Sequence, residues 1–249
     1  MFIALLLFLQ LTKADLAPTG TLRVSFIGNN PVQGRADAAT GATTGPGPDL
    51  ARELAKRLGV PVVVMPLADA GAVLESITSG KVDFGFLAVE AARATQVDFS
   101  RPYLLSGSAY AVRSDSTLAK TADVDRAGIT IGAVTGQSPE VWVREHVKAA
   151  RLISLPTVPP NAELAAMLRD RRVDAFAANR TRMEELARDF PEVRVLPDNF
   201  TVLGQAIAVA KGQRARLDSV NRFLADVLAT DFVKTSIERS KLLGVEPAR

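Results

Sequence analysis

The residues best placed to do chemistry in this 249-residue chain lie between Ala88 and Tyr103. Arg93 stands ahead of a Val97-Asp98-Phe99-Ser100 run that closes in Arg101-Pro102-Tyr103. A planar guanidinium presents paired donors that match the two oxygens of a carboxylate, a geometry lysine cannot reproduce. An arginine can equally stand solvated on the surface, and residue type alone leaves both readings open. Glu90, three residues earlier, is either an anion for a cationic ligand group or the partner of Arg93 itself. A second candidate is Gly136-Gln137-Ser138-Pro139. Ser138 as N-cap and Pro139 as first helical residue predict a helix start there. Free amides at such a terminus attract anions, and Gly136 would let a ligand approach the backbone closely; an ordinary cap without ligand is the alternative.

Several chemistries are excluded. The chain has no cysteine, which removes thiol nucleophiles, disulfides, thiolate metal sites and an acylated N-terminal cysteine, so a lipoprotein is not expected. A single histidine, His146, gives no basis for a histidine metal site or a histidine-based triad. No metal and no cofactor is expected. The formal charge is only +3 with both signs mixed along the chain, and no basic block appears, so nucleic acid is not a predicted partner. With 47% hydrophobic and 23% charged residues, the composition is that of a globular protein.

The elements that must position these residues alternate. "TLRVSFI" predicts a strand, and "GPDLARELAKRLG" a helix with Leu50, Leu54 and Leu58 on one face, stopped by Gly59. "PVVVM", "GAVLESITSG" and "DFGFLAV" continue as strand, helix and strand. The order returns in "GITIGAV", "PEVWVREHVKAA", "RLISL", "NAELAAMLRDR" and "VDAFAA". Alternation of this kind predicts parallel α/β sheets. "LESITSGKVDFGFLA" and "LAAMLRDRRVDAFAA" match in detail, placing Asp83 and Asp174 at equivalent points, where both are expected to shape the turn before a strand. Two extended runs, around Tyr110 and over residues 200–212, would carry the chain between lobes. The C-terminal helices have nowhere to pack but the first lobe. The expected organisation is therefore a leader over residues 1–19, one lobe from 20–109 plus 205–249, and a second from 110–204. Ligands of open α/β sheets gather beyond the carboxyl ends of the strands, here between the lobes.

The N-terminal "MFIALLLFLQLTKADLAP" is an apolar run too short to span a bilayer, followed by small and polar residues. It predicts a secretory signal cleaved after Ala14, although no basic residue precedes the apolar run. A buried N-terminal helix is the alternative.

Residues 20–244 resemble the periplasmic solute-binding proteins of amino-acid-type ABC transporters, the two-lobed type II flytrap class. "RATQVDFSRPY" carries the resemblance, supported by "PDLARELAKRLGV", "SGKVDF" and "GITIGAVTGQS". It implies that Arg93 binds a ligand carboxylate, that Gly136, Gln137 and Ser138 contact the ligand from the second lobe, and that a monomer in the periplasm delivers its solute to an inner-membrane permease. Three departures stand out. Ala88 replaces the usual Ser or Thr, Asn179 replaces the aspartate that takes the ligand ammonium, and Asn29 and Ala70 stand where aromatic side chains often sandwich the ligand. The carboxylate clamp is kept and the ammonium site is altered, with Glu90 as a possible substitute anion. The expected ligand is thus a small carboxylate, amino-acid-like, with or without the α-amine. Dehydratases resembling the same fold, and sensors that report occupancy to a receptor, are the competing functions; an enzyme would need a general acid in the cleft, for which Glu90 is the candidate.

Overall fold

A computed structural model describes residues 12–248. The leader expected over residues 1–19 falls mostly outside the described residues. Its end does not. A short helix α1 (Lys13–Leu16) packs on the body, with Leu16 and Ala17 buried in the first core and Arg216 donating to the Asp15 carbonyl at 2.7 Å. The folded body therefore begins before residue 20, because Leu16 is an apolar anchor rather than part of a linker.

The first half runs β1 (Leu22–Ile27), a short pair β2 (Arg35–Ala36) and β3 (Thr43–Thr44), α2 (Pro46–Leu58), β4 (Val62–Leu67), α3 (Ala70–Thr78), β5 (Phe84–Ala88) and α4 (Ala91–Ala94). A 17-residue strand β6 (Val97–Arg113) leaves it. The second half follows with β7 (Thr130–Val134), α5 (Ser138–His146), β8 (Arg151–Leu155), α6 (Asn161–Arg169), β9 (Ala175–Asn179), α7 (Arg180–Asp189) and β10 (Val193–Val195). The chain returns through β11 (Thr201–Ala210) into α8 (Arg214–Leu228), α9 (Phe232–Arg239) and β12 (Val245–Pro247).

The strand order β4-β1-β5-β11-β6-β9-β7-β8 reads the same from both ends. In each half a central strand is flanked by two parallel partners, β1 by β4 and β5, β7 by β8 and β9. The antiparallel β11 and β6 then close each half against the other. The two expected sheets are thus hydrogen-bonded through their crossings into one path. Asp83 and Asp174 do more than shape turns. Each carboxylate accepts the backbone N–H of the neighbouring strand, Arg23 at 2.8 Å and Thr130 at 2.9 Å, while its own amide bonds back to the same residue. The internal repeat is therefore a repeat of hydrogen bonding as well as of pattern.

Buried side chains form separate cores. One gathers Phe26, Leu54, Phe84, Tyr103 and Phe223, and Leu50, Leu54 and Leu58 on α2 all face it, as their spacing predicts. Gly59 ends that helix at φ 62°, a conformation open chiefly to glycine. Two further cores, around Phe176 and around Tyr110, belong to the second half. Each fully buried leucine or phenylalanine contributes about 1.5–3 kcal/mol. Two helix limits differ from expectation. At its start the N-cap of α5 is Gln137, so Ser138 is the first helical residue. At its end α5 stops at His146, because the amides of Lys148, Ala149 and Ala150 bond to the Asp125 carboxylate instead of continuing the helix.

Candidate ligand-binding cleft

Arg93 sits on the single turn α4, which follows Glu90 at the N-cap position, and is only 6% exposed. Burial on this scale requires partners, and among the described residues it has three. Nε pairs with Glu90 Oε2 at 3.2 Å, Nη1 donates to the Ala88 carbonyl at 3.1 Å, and Nη2 donates across to the Gly136 carbonyl of the second half at 3.1 Å. Desolvation lowers the Arg93 pKa from its ordinary value, and the Glu90 carboxylate works against that shift. A guanidinium carries five N–H groups. Among the described residues, one hydrogen on each of Nη1 and Nη2 is therefore left without a partner and is available to an acceptor oxygen.

Arg93 lines a cavity of about 30 Å³ between the two halves. Ala88 at the end of β5, Gln137 and Ser138 at the start of α5, and Asn179 at the end of β9 line the same cavity. The remaining predicted residues lie elsewhere. Asn29 and Gly136 line an adjoining groove with Ala70. Glu90 lines a third cavity, on the side of Trp142 and Glu145, and its side chain is committed to Arg93 through Oε2. Its other oxygen, Oε1, is buried without a hydrogen-bond partner.

The second-half contribution differs from expectation in one respect. Gly136 holds φ +73°, and a Cβ there would meet nothing within 4 Å. The positive φ favours glycine, and the space over its Cα is open. Its amide, however, is not free, since Glu140 Oε2 accepts it at 3.2 Å. Glu140, 1% exposed, also accepts from Ser154 and pairs with Arg144. Burial raises the Glu140 pKa, but these hydrogen bonds and the arginine outweigh it and hold the carboxyl below its ordinary value of 4.5.

Asn179 caps α7 by accepting the Arg182 amide at 3.0 Å, and its Nδ2 reaches Asn30 Oδ1 across the cleft at 3.5 Å. An aspartate at 179 could fill the same capping role; the neutral amide adds a donor toward the first half instead.

Sequence reasoning missed a buried polar relay in this cavity. Gln33 Oε1 accepts the Ile27 amide at 3.1 Å, Gln33 Nε2 donates to Gln205 Oε1 at 3.2 Å, and Gln205 Nε2 donates to Ser106 Oγ at 3.0 Å. Ser108 lines the same wall. Ser106 and Gln205 lie on β6 and β11, so the relay joins the crossings to the loop after β1. Among the described residues the lining therefore combines one cation with neutral amides, hydroxyls and apolar side chains, and no carboxylate faces it.

An α/β molecule with two similar halves, crossing strands between them and a polar cleft at the strand ends belongs to the class of two-lobed solute-binding folds. The profile of the bacterial extracellular solute-binding proteins, family 3, matches residues 22–239, and the chain belongs to that family. Among curated relatives, the L-cystine-binding protein TcyJ of Escherichia coli (strain K12) is 29% identical over 215 residues, 84% of this chain and 77% of that protein. A solved ancestral amino acid-binding protein, described as a precursor of cyclohexadienyl dehydratase, superposes with a TM-score of 0.75 at 25% identity, covering 90% of this chain and 97% of that one. A binding component of an ABC transporter from Wolinella succinogenes, complexed with lysine, gives 0.78 at 23% identity, covering 88% and 95%. The second of these structures speaks to the fold alone. Among the described residues no helix is long and apolar enough to cross a membrane, and no group of three or more His, Cys, Asp or Glu side chains gathers as for a metal ion.

Proposed function

We propose that this protein captures a small carboxylate-bearing solute outside the cytoplasm and presents it to the permease of an ABC importer, acting as a monomer after removal of a leader that ends before Leu16. The observation that carries this reading is Arg93. It is buried between the two halves and retains one uncommitted N–H on each terminal nitrogen, beside a lining that holds no anionic side chain. A carboxylate satisfies both hydrogens and neutralises the cation, and desolvation strengthens the pair.

The neutral lining bears on the other end of the ligand head. A buried ammonium group needs an anion or a full set of acceptors, because an unpaired buried charge is costly. Asn179 has its carbonyl oxygen committed to the α7 amide, and Ala88 offers no hydroxyl. Glu90, which would be the substitute anion, turns to Arg93 and lines a different cavity. The relatives bind amino acids by name, yet these residues favour a hydroxyl, keto or amide group in place of the amine. The same position of Glu90 argues against the dehydratase reading, which would need its proton in the cleft.

A thermal-shift panel tests this directly, pairing each amino acid with its 2-hydroxy analogue. The hydroxy acids are expected to raise the melting temperature more than their amino partners. Tight binding of a standard amino acid, with its hydroxy analogue inert, would refute the neutral-site reading.

A further inference from the structure

We infer that the solute is elongated, with its carboxylate at Arg93 and an uncharged, amphipathic body lying in the groove beside α3. This rests on the carboxylate reading of Arg93 given above. The cavity at Arg93 measures about 30 Å³. By the same kind of measure one water needs roughly 10–15 Å³. There is room for a carboxylate head and little more, so the body of any solute held in this arrangement must lie outside that cavity.

Two spaces adjoin it. The larger, about 550 Å³, shares Ile27 and Gln137 with the Arg93 cavity and runs between Ala68–Gly71 of the first half and Val134–Gln137 and Pro156–Val158 of the second. It lies beyond the carboxyl ends of β1, β4, β7 and β8, and its size suits a ligand body. Its walls are Ile27, Val134, Pro156 and Val158, with Asn29 and Thr157 as polar handles. Asp69 is the one ionisable side chain on it, and its Oδ1 already accepts the Ala72 amide at 2.8 Å as the cap of α3. The α3 terminus partly offsets that charge, and the rest of the described lining is apolar or neutral. The smaller space, about 220 Å³, shares Ser138 and Leu203 with the Arg93 cavity and is lined by Glu90, Glu145 and Trp142. It would suit a cationic tail. The larger volume and neutral walls of the α3 groove favour an uncharged body.

Titration calorimetry separates these cases with three probes and substitutions at three positions. The probes are lactate, an N-acyl glycine such as hippurate, and 6-aminohexanoate. Hippurate is expected to bind at least roughly tenfold more tightly than lactate, because it adds buried apolar area. Thr157→Trp, an exposed position on the groove wall, should lose that gain of roughly tenfold while lactate changes less than about twofold. Ala68→Trp fills the groove from the opposite wall and serves if the first variant folds poorly. Equal affinity for hippurate and lactate, or hippurate binding untouched by both tryptophans, would overturn the inference. So would a preference for 6-aminohexanoate that Glu145→Gln abolishes, which would assign the body to the acidic cavity. Failure of all three probes in the folded wild type would instead overturn the carboxylate reading itself.

Discussion

Replacing Arg93 by alanine tests the site at its centre, and two separable effects are expected. The first is on the ligand. Two N–H groups remain for a carboxylate, and a hydrogen bond between charged partners contributes about 1.5–3 kcal/mol. Loss of both costs about 3 kcal/mol or more, a fall in affinity of roughly a hundredfold. The second is on the fold. Glu90 Oε1 already lacks a partner, and its side chain is 11% exposed. Removing the guanidinium would strand a nearly buried carboxylate and also break the link to the Gly136 carbonyl. Stranding a fully buried charge costs about 3–5 kcal/mol; with the exposure that Glu90 keeps, about 2 kcal/mol is expected. The double variant Arg93→Ala/Glu90→Gln separates the effects, because a neutral amide tolerates the vacated space. Urea denaturation should show most of the stability restored, while calorimetry shows affinity still roughly a hundredfold down. Recovery of binding in the double variant, or unchanged affinity in Arg93→Ala, would refute the assignment of Arg93 to the ligand.

The remaining expectations concern the frame. Glu140→Gln should destabilise the protein by about 1–2 kcal/mol at pH 7. Because the Glu140 pKa is depressed in the fold, its contribution is full above about 4.5 and is lost as pH falls through the folded value, so urea midpoints of variant and wild type should converge in acid. Leu16→Ala should cost about 2–5 kcal/mol in thermal unfolding, since the side chain is fully buried; a change under half that would show that the segment before residue 20 is peripheral. Glu185→Gln removes the pair with Arg35, 2.5 Å across the two halves but half exposed on the arginine side, and should weaken ligand binding by no more than about fivefold.

How much of this was legible in the sequence depends on separation along the chain. The helix on Leu50, Leu54 and Leu58 and the repeat marked by Asp83 and Asp174 are local patterns, and periodicity exposes them. Arg93 was legible because the run that follows it is a recognisable motif. Gln33, Ser106, Ser108 and Gln205 were not, because they meet only after folding, with Gln33 and Gln205 separated by 172 positions. For Ser106, Ser108 and Gln205 the one signal was composition, since polar residues inside the apolar runs "LLSGSAY" and "VLGQAIAV" have to find partners once buried; Gln33, in a polar loop, carried none. Glu90 was left open between two partners by the sequence, and only the folded turn, which sets its Oε2 3.2 Å from Arg93 Nε, resolves where it points. The early end of α5 is set by Asp125, more than twenty residues away, and so leaves no trace in the helix's own periodicity.

The shared strands have a mechanical consequence. β6 pairs with β11 from Val97 to Ser108 and with β9 from Ser108 to Val112, and β12 adds a third partner at Leu104–Ser106. Any rotation of one half against the other must pass through this ribbon. A twisting ribbon spreads rotation over many peptide units, each turning a little, and leaves its hydrogen bonds in place. A one-residue slip would turn every side chain to the wrong face, so the register is held like the teeth of a gear. Ser106 and Gln205 ride on the ribbon itself, which makes them the fixed reference of the cleft. Were the halves to part, that register would bring Arg93 back to the Gly136 carbonyl it meets here.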